Sequence, residues 1–510
     1  MSDRRAWLLV ALGALGLAAS YPPFVFPPLS FVALAPATLL VRQAVADRDP
    51  RRAFRWGFWY GLASNGLVLY WLVVALWHFT PLSGLGYLAT VLILGLLTGL
   101  LFAYAMRVRL RFPAVPLWLV FPLGWTALEW LVGHLGDVRF PWLGLGTSLA
   151  DAPILIQWAD FAGARGVTLW VAWCNVMLVD AVVERRGVWA VGRGVAPVAA
   201  TLMLALGYGA WRMRTLPTRD VGVVGLIQPN EGSREKWDPA QADSIVRTLL
   251  DLSRGVRALA RPDLIIWPEA AIPGYVQSQA EWDRAVAAFT SETHTPVVAG
   301  GLYAEFRDRR EYDNFNAAFV YDSTGEWRRN PVYAKRYLVP IVERVPFVPP
   351  RWFGSLRFFG GFSRGRALPV YAVGIGRFGI AICYESAFEE LPRSYRRLGA
   401  DFLVNVTNDK WYGRTAGPFQ HASHLVLRAI ETRMGVARAA NSGISAFYDP
   451  LGRVHDATEL ETRTVVAGRL RTSDVVPLYV RWGDWVGMFV VIATLGFAGA
   501  VAIQDWKRRT

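Results

Sequence analysis

The sequence predicts a two-part α/β protein, in which a polytopic membrane domain of about eight spans carries an inserted α/β sandwich. Hydrophobic residues make up 53% of the 510 positions, and the mean hydropathy of +0.27 exceeds that of an ordinary cytosolic chain. Long apolar runs cluster before residue 215 and recur once after residue 484, while short strand-like and helix-like patterns alternate between them. The expected parts are a membrane domain over residues 1–215, a globular domain over 216–480, and a final span with a basic tail over 481–510.

The apolar runs define seven candidate spans before the inserted domain and an eighth after it. Several runs are shorter than the roughly 20 residues that a straight span needs, so the spans are better defined than their ends. The first run is expected to remain as a span instead of being cleaved as a signal peptide, because Tyr21-Pro22-Pro23 is a poor context for cleavage. The candidate spans cover residues 6–20, 26–41, 56–78, 85–106, 116–133, 166–183, 195–211 and 485–503.

Basic residues predict how these spans are oriented. When the N-terminus and alternate loops are assigned to the cytoplasm, the cytoplasmic segments hold 16 basic residues against five acidic ones, a net +11 of the chain's +14. The short loops on the opposite side, around residues 21–23 and 79–81, carry no charge, as the positive-inside rule requires. Seven spans from a cytoplasmic start place residues 216–480 outside the cytoplasm. Because the basic balance reports topology, and no zinc-ligand spacing or RNA-binding aromatic motif accompanies it, no nucleic-acid partner is expected.

Short buried strands alternate with helices in the inserted domain, and this alternation predicts an α/β sandwich. The predicted strands cover residues 221–228, 264–267, 296–303, 317–321, 379–383, 402–406 and 444–448. The predicted helices cover residues 240–260, 281–290 and 419–434.

Three residues of this domain together suggest catalysis. Cys383 and Glu269 each follow a strand-like run, and Lys335 lies in a short basic segment between them. Taken singly, each has an ordinary interpretation: an inert buried thiol, a helix-capping carboxylate and a solvated surface lysine. Taken together, they offer a nucleophile, a base and a cation, the set that acyl transfer through a thiol uses.

The chemistry assigns a role to each of these residues. A free thiol is mostly protonated at neutral pH, so Cys383 needs a base within hydrogen-bond reach, and Glu269 is the candidate. When the sulfur attacks an acyl carbonyl, negative charge develops on the carbonyl oxygen. Lys335 and the backbone N–H of Tyr384 are the candidate donors that stabilise this charge.

The order of Glu, Lys and Cys resembles the catalytic set of the nitrilase, or carbon-nitrogen hydrolase, superfamily. Because this domain lies among membrane spans, the chain is most similar to the bacterial apolipoprotein N-acyltransferases. The resemblance covers nearly the whole chain and implies that the sandwich is the nitrilase αββα fold, inserted between the transmembrane helices. The matching segments include Gln228-Pro229-Asn230, Lys236-Trp237, Thr407-Asn408-Asp409-Lys410-Trp411-Tyr412-Gly413 and Asn441-Ser442-Gly443.

The resemblance also implies residues that support the site. The expected supporting or substrate-binding residues are Glu343, Tyr384, Glu385, Trp237 and Trp411. The sequence departs from the family pattern before Glu343, where Ile341-Val342 replaces an aromatic residue and a glycine. This exchange stiffens the backbone, so the motif defines the position of Glu343 less well than that of the triad.

The activity that the resemblance implies is a two-step acyl transfer. Cys383 is expected to take an acyl chain from a phospholipid as a thioester, which the α-amino group of a diacylglyceryl-cysteine at the N-terminus of an apolipoprotein then attacks. No metal or soluble cofactor is expected, because a thiol, a carboxylate and an ammonium suffice. The expected location is the bacterial inner membrane with the catalytic domain on the periplasmic side, and the expected state is a monomer.

Two other functions remain open at the level of sequence. One is a membrane-tethered amidase or nitrilase-type hydrolase, in which water is the second nucleophile. The other is a membrane scaffold or transporter with a degenerate nitrilase-like domain. The presence of Glu269, Lys335 and Cys383 argues against degeneracy, and the absence of paired spans broken by glycine and proline argues against transport.

Two further patterns have structural interpretations. The segment 346–362 holds six aromatic residues among prolines and glycines, and it is interpreted as a lid that dips into lipid, with a loop packed on its own domain as the alternative. His421 and His424 lie three residues apart on a predicted helix and are interpreted as packing under the sheet, because no further metal ligand accompanies them.

Overall fold

The computed structural model describes residues 2–24, 26–77, 83–184, 188–233, 235–307, 312–347 and 361–509. These form two compact units, one of residues 1–214 with 482–510 and one of residues 215–481. Of the predicted lid, residues 348–360 lie outside the described ranges.

The first unit is helical, as the apolar runs predict. Each of the eight predicted spans contains a helix. Gly57 and Gly61 allow the helix Pro50–Val68 to pack closely against the helix Ser83–Arg111, because a Cβ at Gly61 would lie 2.5 Å from the side chain of Thr98. The helices before the inserted domain are α1 Asp3–Ser20, α2 Ala35–Asp47, α3 Pro50–Val68, α4 Trp71–Trp77, α5 Ser83–Arg111, α6 Leu117–Val132, α7 Ala159–Glu184 and α8 Val188–Thr215. A C-terminal helix follows the inserted domain at Trp485–Lys507.

Length and hydropathy qualify most of these helices as membrane spans. Among the described residues, five helical segments are long and apolar enough to cross a membrane: Pro27–Asp47, Gly84–Arg111, Ala159–Val183, Val191–Thr215 and Trp485–Lys507. The pair α3 and α4, bent by 59°, forms a sixth candidate, and α6 is a shorter apolar helix of 16 residues. A total of eight spans, which also needs α1 and α6 to cross, stays a prediction.

The second unit is the predicted α/β sandwich. Its strands are β1 Arg219–Gln228, β2 Leu264–Ile266, β3 Val297–Phe306, β4 Tyr312–Tyr321, β5 Tyr333–Ala334, β6 Tyr371–Val373, β7 Gly376–Ile382, β8 Phe402–Thr407, β9 Gly435–Ala440, β10 Ala446–Tyr448, β11 Val454–His455 and β12 Thr464–Thr472. Its helices are α9 Ala242–Ala260, α10 Ala280–Thr293, α11 Glu390–Arg397, α12 Gly417–Thr432 and α13 Leu478–Trp482.

The described strands form two six-stranded mixed sheets that pack face to face. One sheet has the order β12-β1-β2-β3-β4-β5, and the other has the order β11-β10-β9-β8-β7-β6. Strands β1, β2 and β3 run parallel, as do β7, β8 and β9, while the remaining pairs are antiparallel. Helices α9 and α10 cover the first sheet, and α11 and α12 cover the second. The layers are therefore αββα, which confirms the predicted fold.

The parallel strands bring polar residues to one edge of each sheet. Glu269 follows β2 in the first sheet, and Cys383 and Asn408 follow the neighbouring strands β7 and β8 in the second. The carboxyl ends of parallel strands meet at the same edge, where open α/β sheets place their ligands. The buried core beneath this edge includes Trp267 and Phe319.

The predicted strands and helices all occur, with shifted ends, but several elements were not predicted. The unpredicted strands are β5, β6, β9, β11 and β12, and the unpredicted helices are α11 and α13. Cys383, the last residue of the predicted strand 379–383, lies one residue beyond β7 and begins a 3₁₀ turn, Cys383–Ala387.

Candidate active site

The nucleophile candidate sits in a strained turn. Cys383 has a φ of 51°, which is uncommon for a residue other than glycine and concentrates at functional sites. Its side chain is buried. Burial raises the pKa of the thiol, the charge of Glu269 raises it further, and the charge of Lys335 lowers it. The thiol is therefore protonated at neutral pH, and attack on a carbonyl needs a base beside it.

The carboxylate of Glu269 is buried and held from both oxygens. Oε1 accepts hydrogen bonds from Nδ2 of Asn316 at 2.6 Å and from Nζ of Lys335 at 3.3 Å. Oε2 accepts the backbone N–H of Asn408 at 2.9 Å. These donors come from three different strands or strand ends, so the fold fixes the carboxylate in one orientation, as a general base requires.

Lys335 links two carboxylates at the centre of the site. Its Nζ lies 2.9 Å from Oε1 of Glu343 and 3.3 Å from Oε1 of Glu269. Burial alone would lower the pKa of this ammonium, but the two carboxylates outweigh burial and raise the pKa well above its ordinary value. Lys335 is therefore cationic at neutral pH and suited to stabilise developing negative charge.

Glu343 joins this cluster although Ile341-Val342 precedes it. Its Oε1 accepts from Nδ2 of Asn316 at 3.0 Å, and its Oε2 accepts the backbone N–H of Val339 at 2.8 Å. Ile341 takes a φ of 71°, a conformation that is costly for a β-branched residue. The loop thus keeps Glu343 against Lys335 at the cost of local backbone strain.

Glu385 connects the Cys383 turn to the Lys335 segment. Its Oε2 accepts the backbone N–H of Ile382 at 2.7 Å and the hydroxyl of Tyr333 at 2.8 Å. Its Oε1 accepts the backbone N–H groups of Arg336 at 2.7 Å and Tyr337 at 3.1 Å. Burial raises the pKa of this carboxyl, and the hydrogen bonds to it act in the opposite direction. Glu385 therefore acts as a brace between the nucleophile and the cation.

The pair Lys236-Trp237, which lies in a segment that matches the family, contacts Glu269 through its lysine. The buried Nζ of Lys236 donates to the backbone carbonyl of Glu269 at 2.9 Å. Burial lowers the pKa of this lysine to about 8, while the charges of Glu269 and Glu231 act to raise it. Trp237, which the resemblance selects, is 41% exposed. The structure thus brings the neighbour of Trp237 to the base.

A charged pair supports the strand ends behind Cys383. Asp409 accepts a hydrogen bond from Arg438 at 2.7 Å, and both side chains are fully buried. Nδ1 of His421 lies 2.8 Å from the same carboxylate. Burial would raise the pKa of Asp409, but Arg438 and His421 lower it to about 2. This pair fixes the turn in which the preceding residue, Asn408, contacts Glu269.

The remaining predicted residues lie near this framework. Tyr384 is buried and packs edge-to-face on Phe388, with ring centroids 5.1 Å apart. Trp411 is half-buried in the 3₁₀ turn Asp409–Tyr412. Across the described residues, no group of three or more His, Cys, Asp or Glu side chains is arranged to hold a metal ion.

Five residues that the structure places around the site have no role predicted from the sequence: Asn316, Arg438, and Lys236, Asn408 and Asp409 from the segments that match the family. One of them carried a readable signal, because Arg438 is the only charged residue of the otherwise apolar segment 435–440. Buried polar groups in such positions are hydrogen-bonded or functional. Asn408 contacts Glu269 through its backbone, which no side-chain pattern reveals.

The αββα unit with a buried Glu–Lys–Cys cluster defines the class as a carbon-nitrogen hydrolase-type domain carried by a membrane protein. The sequence model of the carbon-nitrogen hydrolase family matches residues 223–478. The sequence model of the apolipoprotein N-acyltransferase N-terminal domain matches residues 13–177. Among solved structures, an amidase from Nesterenkonia sp. is similar, with 17% identity, a TM-score of 0.36, and coverage of 52% of this chain and 95% of that chain.

Relatives of full length match the whole chain. The apolipoprotein N-acyltransferase of Geobacter metallireducens is 33% identical, over 97% of this chain and 96% of that protein. The apolipoprotein N-acyltransferase of Chlorobaculum tepidum is 30% identical, over 99% of this chain and 97% of that protein. The chain belongs to the apolipoprotein N-acyltransferase family. This confirms the predicted family and the predicted acyltransferase function of a membrane protein.

Proposed function

We propose that the protein transfers an acyl chain from a phospholipid, through a thioester on Cys383, to the α-amino group of an N-terminal diacylglyceryl-cysteine. The observation that carries this proposal is the hydrogen-bonded cluster of Glu269, Lys335 and Glu343, all buried, whose charges act on the thiol. Family membership supplies the lipoprotein acceptor. The apolar helices of the first unit support a lipid as the acyl donor.

The first half-reaction loads the cysteine. Glu269 takes the proton of the thiol as the sulfur forms a bond to the ester carbonyl carbon, and Lys335 with the backbone N–H of Tyr384 stabilises the oxyanion. When the tetrahedral intermediate collapses, the bond from carbon to the glycerol oxygen breaks. Glu269 then returns its proton to that oxygen, which leaves as a lysophospholipid.

The second half-reaction moves the acyl chain to the lipoprotein. The neutral α-amino nitrogen forms a bond to the thioester carbon, and the bond between carbon and sulfur breaks. Glu269 takes a proton from the nitrogen and passes it to the leaving sulfur, which restores the Cys383 thiol. Glu343 and Glu385 hold the cluster in place, and Tyr384, Trp237 and Trp411 contribute to substrate binding.

The location that fits this chemistry is the periplasmic side of the bacterial inner membrane. The net +11 on the cytoplasmic segments supports this orientation of residues 216–480. Diacylglyceryl-lipoproteins and phospholipids both lie in that leaflet under this proposal. A single chain holds every proposed catalytic group, so the working unit is a monomer.

The lipoproteins themselves test the function. Membranes of cells in which Cys383→Ala replaces the wild-type protein should accumulate lipoproteins whose N-terminal cysteine has a free α-amino group, as measured by mass spectrometry of the N-terminal peptide. Cells with Cys174→Ala serve as the control, because Cys174 lies on α7 and outside the cluster. Fully N-acylated lipoproteins in the Cys383→Ala cells would contradict the proposal.

A further inference from the structure

The amide oxygen of Asn316 is a buried acceptor at the reaction centre. Asn316 is 6% exposed, and none of the described residues donates a hydrogen bond to its Oδ1. A buried polar atom without a partner costs free energy, so such an atom in a folded protein calls for a reason. Its position beside Glu269 and Glu343 supplies one.

The neighbouring contacts fix which end of the amide faces the carboxylates. Nδ2 donates to Oε1 of Glu269 at 2.6 Å and to Oε1 of Glu343 at 3.0 Å. Carboxylate oxygens only accept hydrogen bonds, so the NH₂ group must face them and the amide oxygen must face elsewhere. The backbone also holds the residue, because the carbonyl of Asn316 accepts the N–H of Lys335 at 2.9 Å. The side chain therefore presents Oδ1 from a rigid strand, β4.

The two substrates differ in whether they can satisfy this oxygen. The reacting ester of a phospholipid carries only acceptor oxygens, so it offers Oδ1 nothing. The α-amino group of the acceptor carries N–H bonds, one of which remains available while another proton passes to Glu269. An acceptor atom beside the base thus complements the second substrate and not the first.

We propose that Oδ1 of Asn316 accepts a hydrogen bond from the α-amino group of the lipoprotein and so orients the nitrogen for attack on the Cys383 thioester. This inference rests on the proposed function and assigns a residue that selects a primary amine. In the second half-reaction, one N–H of the amine bonds to Oδ1, and the proton that is lost goes to Glu269. The nitrogen lone pair then points at the thioester carbon, and holding the reacting atoms in this geometry lowers the barrier to attack.

The inference predicts discrimination between two acceptors that differ by one N–H. Thioester preformed on the full-length protein is discharged with a diacylglyceryl-peptide carrying a free α-amine, or with the same peptide carrying an N-methyl amine. The wild-type protein should favour the primary amine, because the secondary amine cannot satisfy Glu269 and Oδ1 together. Asn316→Ala should slow discharge to the primary amine by roughly 10- to 100-fold and discharge to the N-methyl amine only a few-fold.

Two further variants separate this role from a general defect. Asn316→Asp, when protonated, can still donate to Glu269 and accept from the amine, so it should keep the preference for the primary amine even if loading is slow. Asn314 lies two residues earlier on the same face of β4 and also has a buried Oδ1 without a described donor, but its amide makes no described hydrogen bond to Glu269 or Glu343, so Asn314→Ala should leave the preference unchanged. An Asn316→Ala protein with the wild-type preference, or an Asn314→Ala protein that loses it, would overturn the assignment.

The loading step distinguishes a failure of this inference from a failure of the proposed function. Label retained from phospholipid before any acceptor is added reports the thioester alone. Failure of loading in the wild-type protein would remove the proposed mechanism, whereas normal loading with an unchanged amine preference in Asn316→Ala would remove only the role of Oδ1. If Asn316→Ala does not load, the preference of Asn316→Asp decides, because its loss would contradict the inference.

Discussion

The carboxylate of Glu385 accepts the hydroxyl of Tyr333 at 2.8 Å, and this contact joins the turn of the nucleophile to the strand that leads to Lys335. The same carboxylate accepts three backbone N–H groups, from Ile382, Arg336 and Tyr337. Because four donors converge on one side chain, the separation between Cys383 and Lys335 depends on a residue that carries out no chemical step.

The brace predicts that Glu385→Gln impairs loading of Cys383. A glutamine has one oxygen and an NH₂ group, which would face N–H donors that need an acceptor. We expect thioester formation from labelled phospholipid to slow by roughly 10²-fold, since misplacement of catalytic groups by about 1 Å has effects of that size. Glu281→Gln, at an exposed position on α10, is the control. Wild-type loading by Glu385→Gln would contradict the brace.

The buried pair of Asp409 and Arg438 predicts a large effect on stability. Asp409→Asn leaves the Arg438 charge buried without its partner, which should lower the free energy of unfolding by about 3–5 kcal/mol. Adding Arg438→Met should recover much of this loss, because the uncompensated charge is then gone. Unfolding of the full-length protein in detergent can be followed by tryptophan fluorescence.

An exposed pair is the matched control for that measurement. Asp251 and Arg254 lie 2.8 Å apart on α9 with mostly exposed side chains, so Asp251→Asn should change the free energy of unfolding by about 1 kcal/mol or less. If Asp409→Asn and Asp251→Asn lowered the free energy of unfolding equally, the buried pair would contribute no more to stability than the exposed one, which would contradict the prediction.

The sequence predicted the sandwich because its central strands are apolar and short. Strand β8 is buried along its whole length and reads as an apolar run. Strand β12 was missed because it is largely half-exposed and carries Arg469 and Arg471, and β9 was missed because Arg438 interrupts it. The charge of Arg438 is neutralised by Asp409, which lies 29 positions earlier in the chain. Such pairing depends on the fold, so local patterns do not reveal it.

In the site, too, the motifs predicted the main residues but not the contacts that depend on the folded loops. Glu269, Lys335, Glu343, Cys383 and Glu385 were selected by motif. The structure joins Glu269, Lys335 and Glu343 in one hydrogen-bonded cluster beside the thiol, and Glu385 connects the Cys383 turn to the segment after Lys335. The motif pointed to Trp237, whereas the contact with the Glu269 turn comes from Lys236. The conformation of the packed loop determines which of these two neighbouring side chains points toward Glu269, and the sequence alone does not reveal that conformation.

Lys236 predicts a pH dependence for loading. Burial lowers its pKa to about 8, so the ammonium that donates to the Glu269 carbonyl loses its proton as the pH rises through about 8. A neutral amine makes a weaker hydrogen bond than an ammonium, and we expect the wild-type loading rate to fall a few-fold between about pH 7 and about pH 9. Lys335 keeps its proton over this range, because its pKa is raised well above the ordinary value.

Lys236→Arg is the variant that isolates this titration. The guanidinium stays charged at all accessible pH values, so the decline above about pH 8 should disappear. The half-reaction contains no acceptor amine, and the amine therefore adds no titration of its own. A wild-type profile that stays flat through about pH 8, or an unchanged decline in Lys236→Arg, would contradict the role of this lysine.

The charge bias predicts the topology. A reporter that is active only outside the cytoplasm should work when fused after Thr324, which lies in a turn of the second unit, and should fail when fused after Arg52 on α3. The physical reason is the net +11 on the segments assigned to the cytoplasm. The reverse pattern of activity would contradict the orientation of the whole chain.

Thioester formation on Cys383 tests the account most directly. Purified protein given labelled phospholipid and no lipoprotein should retain label that neutral hydroxylamine removes, because a covalent intermediate needs only the acyl donor. Cys383→Ala should abolish retention and Cys174→Ala should keep it, while Glu269→Gln and Lys335→Ala should each slow it by roughly 10²-fold or more. A diacylglyceryl-peptide should then discharge the label onto its amine, whereas a hydrolase would release free fatty acid at a similar rate without the peptide. Label that resists hydroxylamine, or that persists in Cys383→Ala, would contradict Cys383 as the nucleophile.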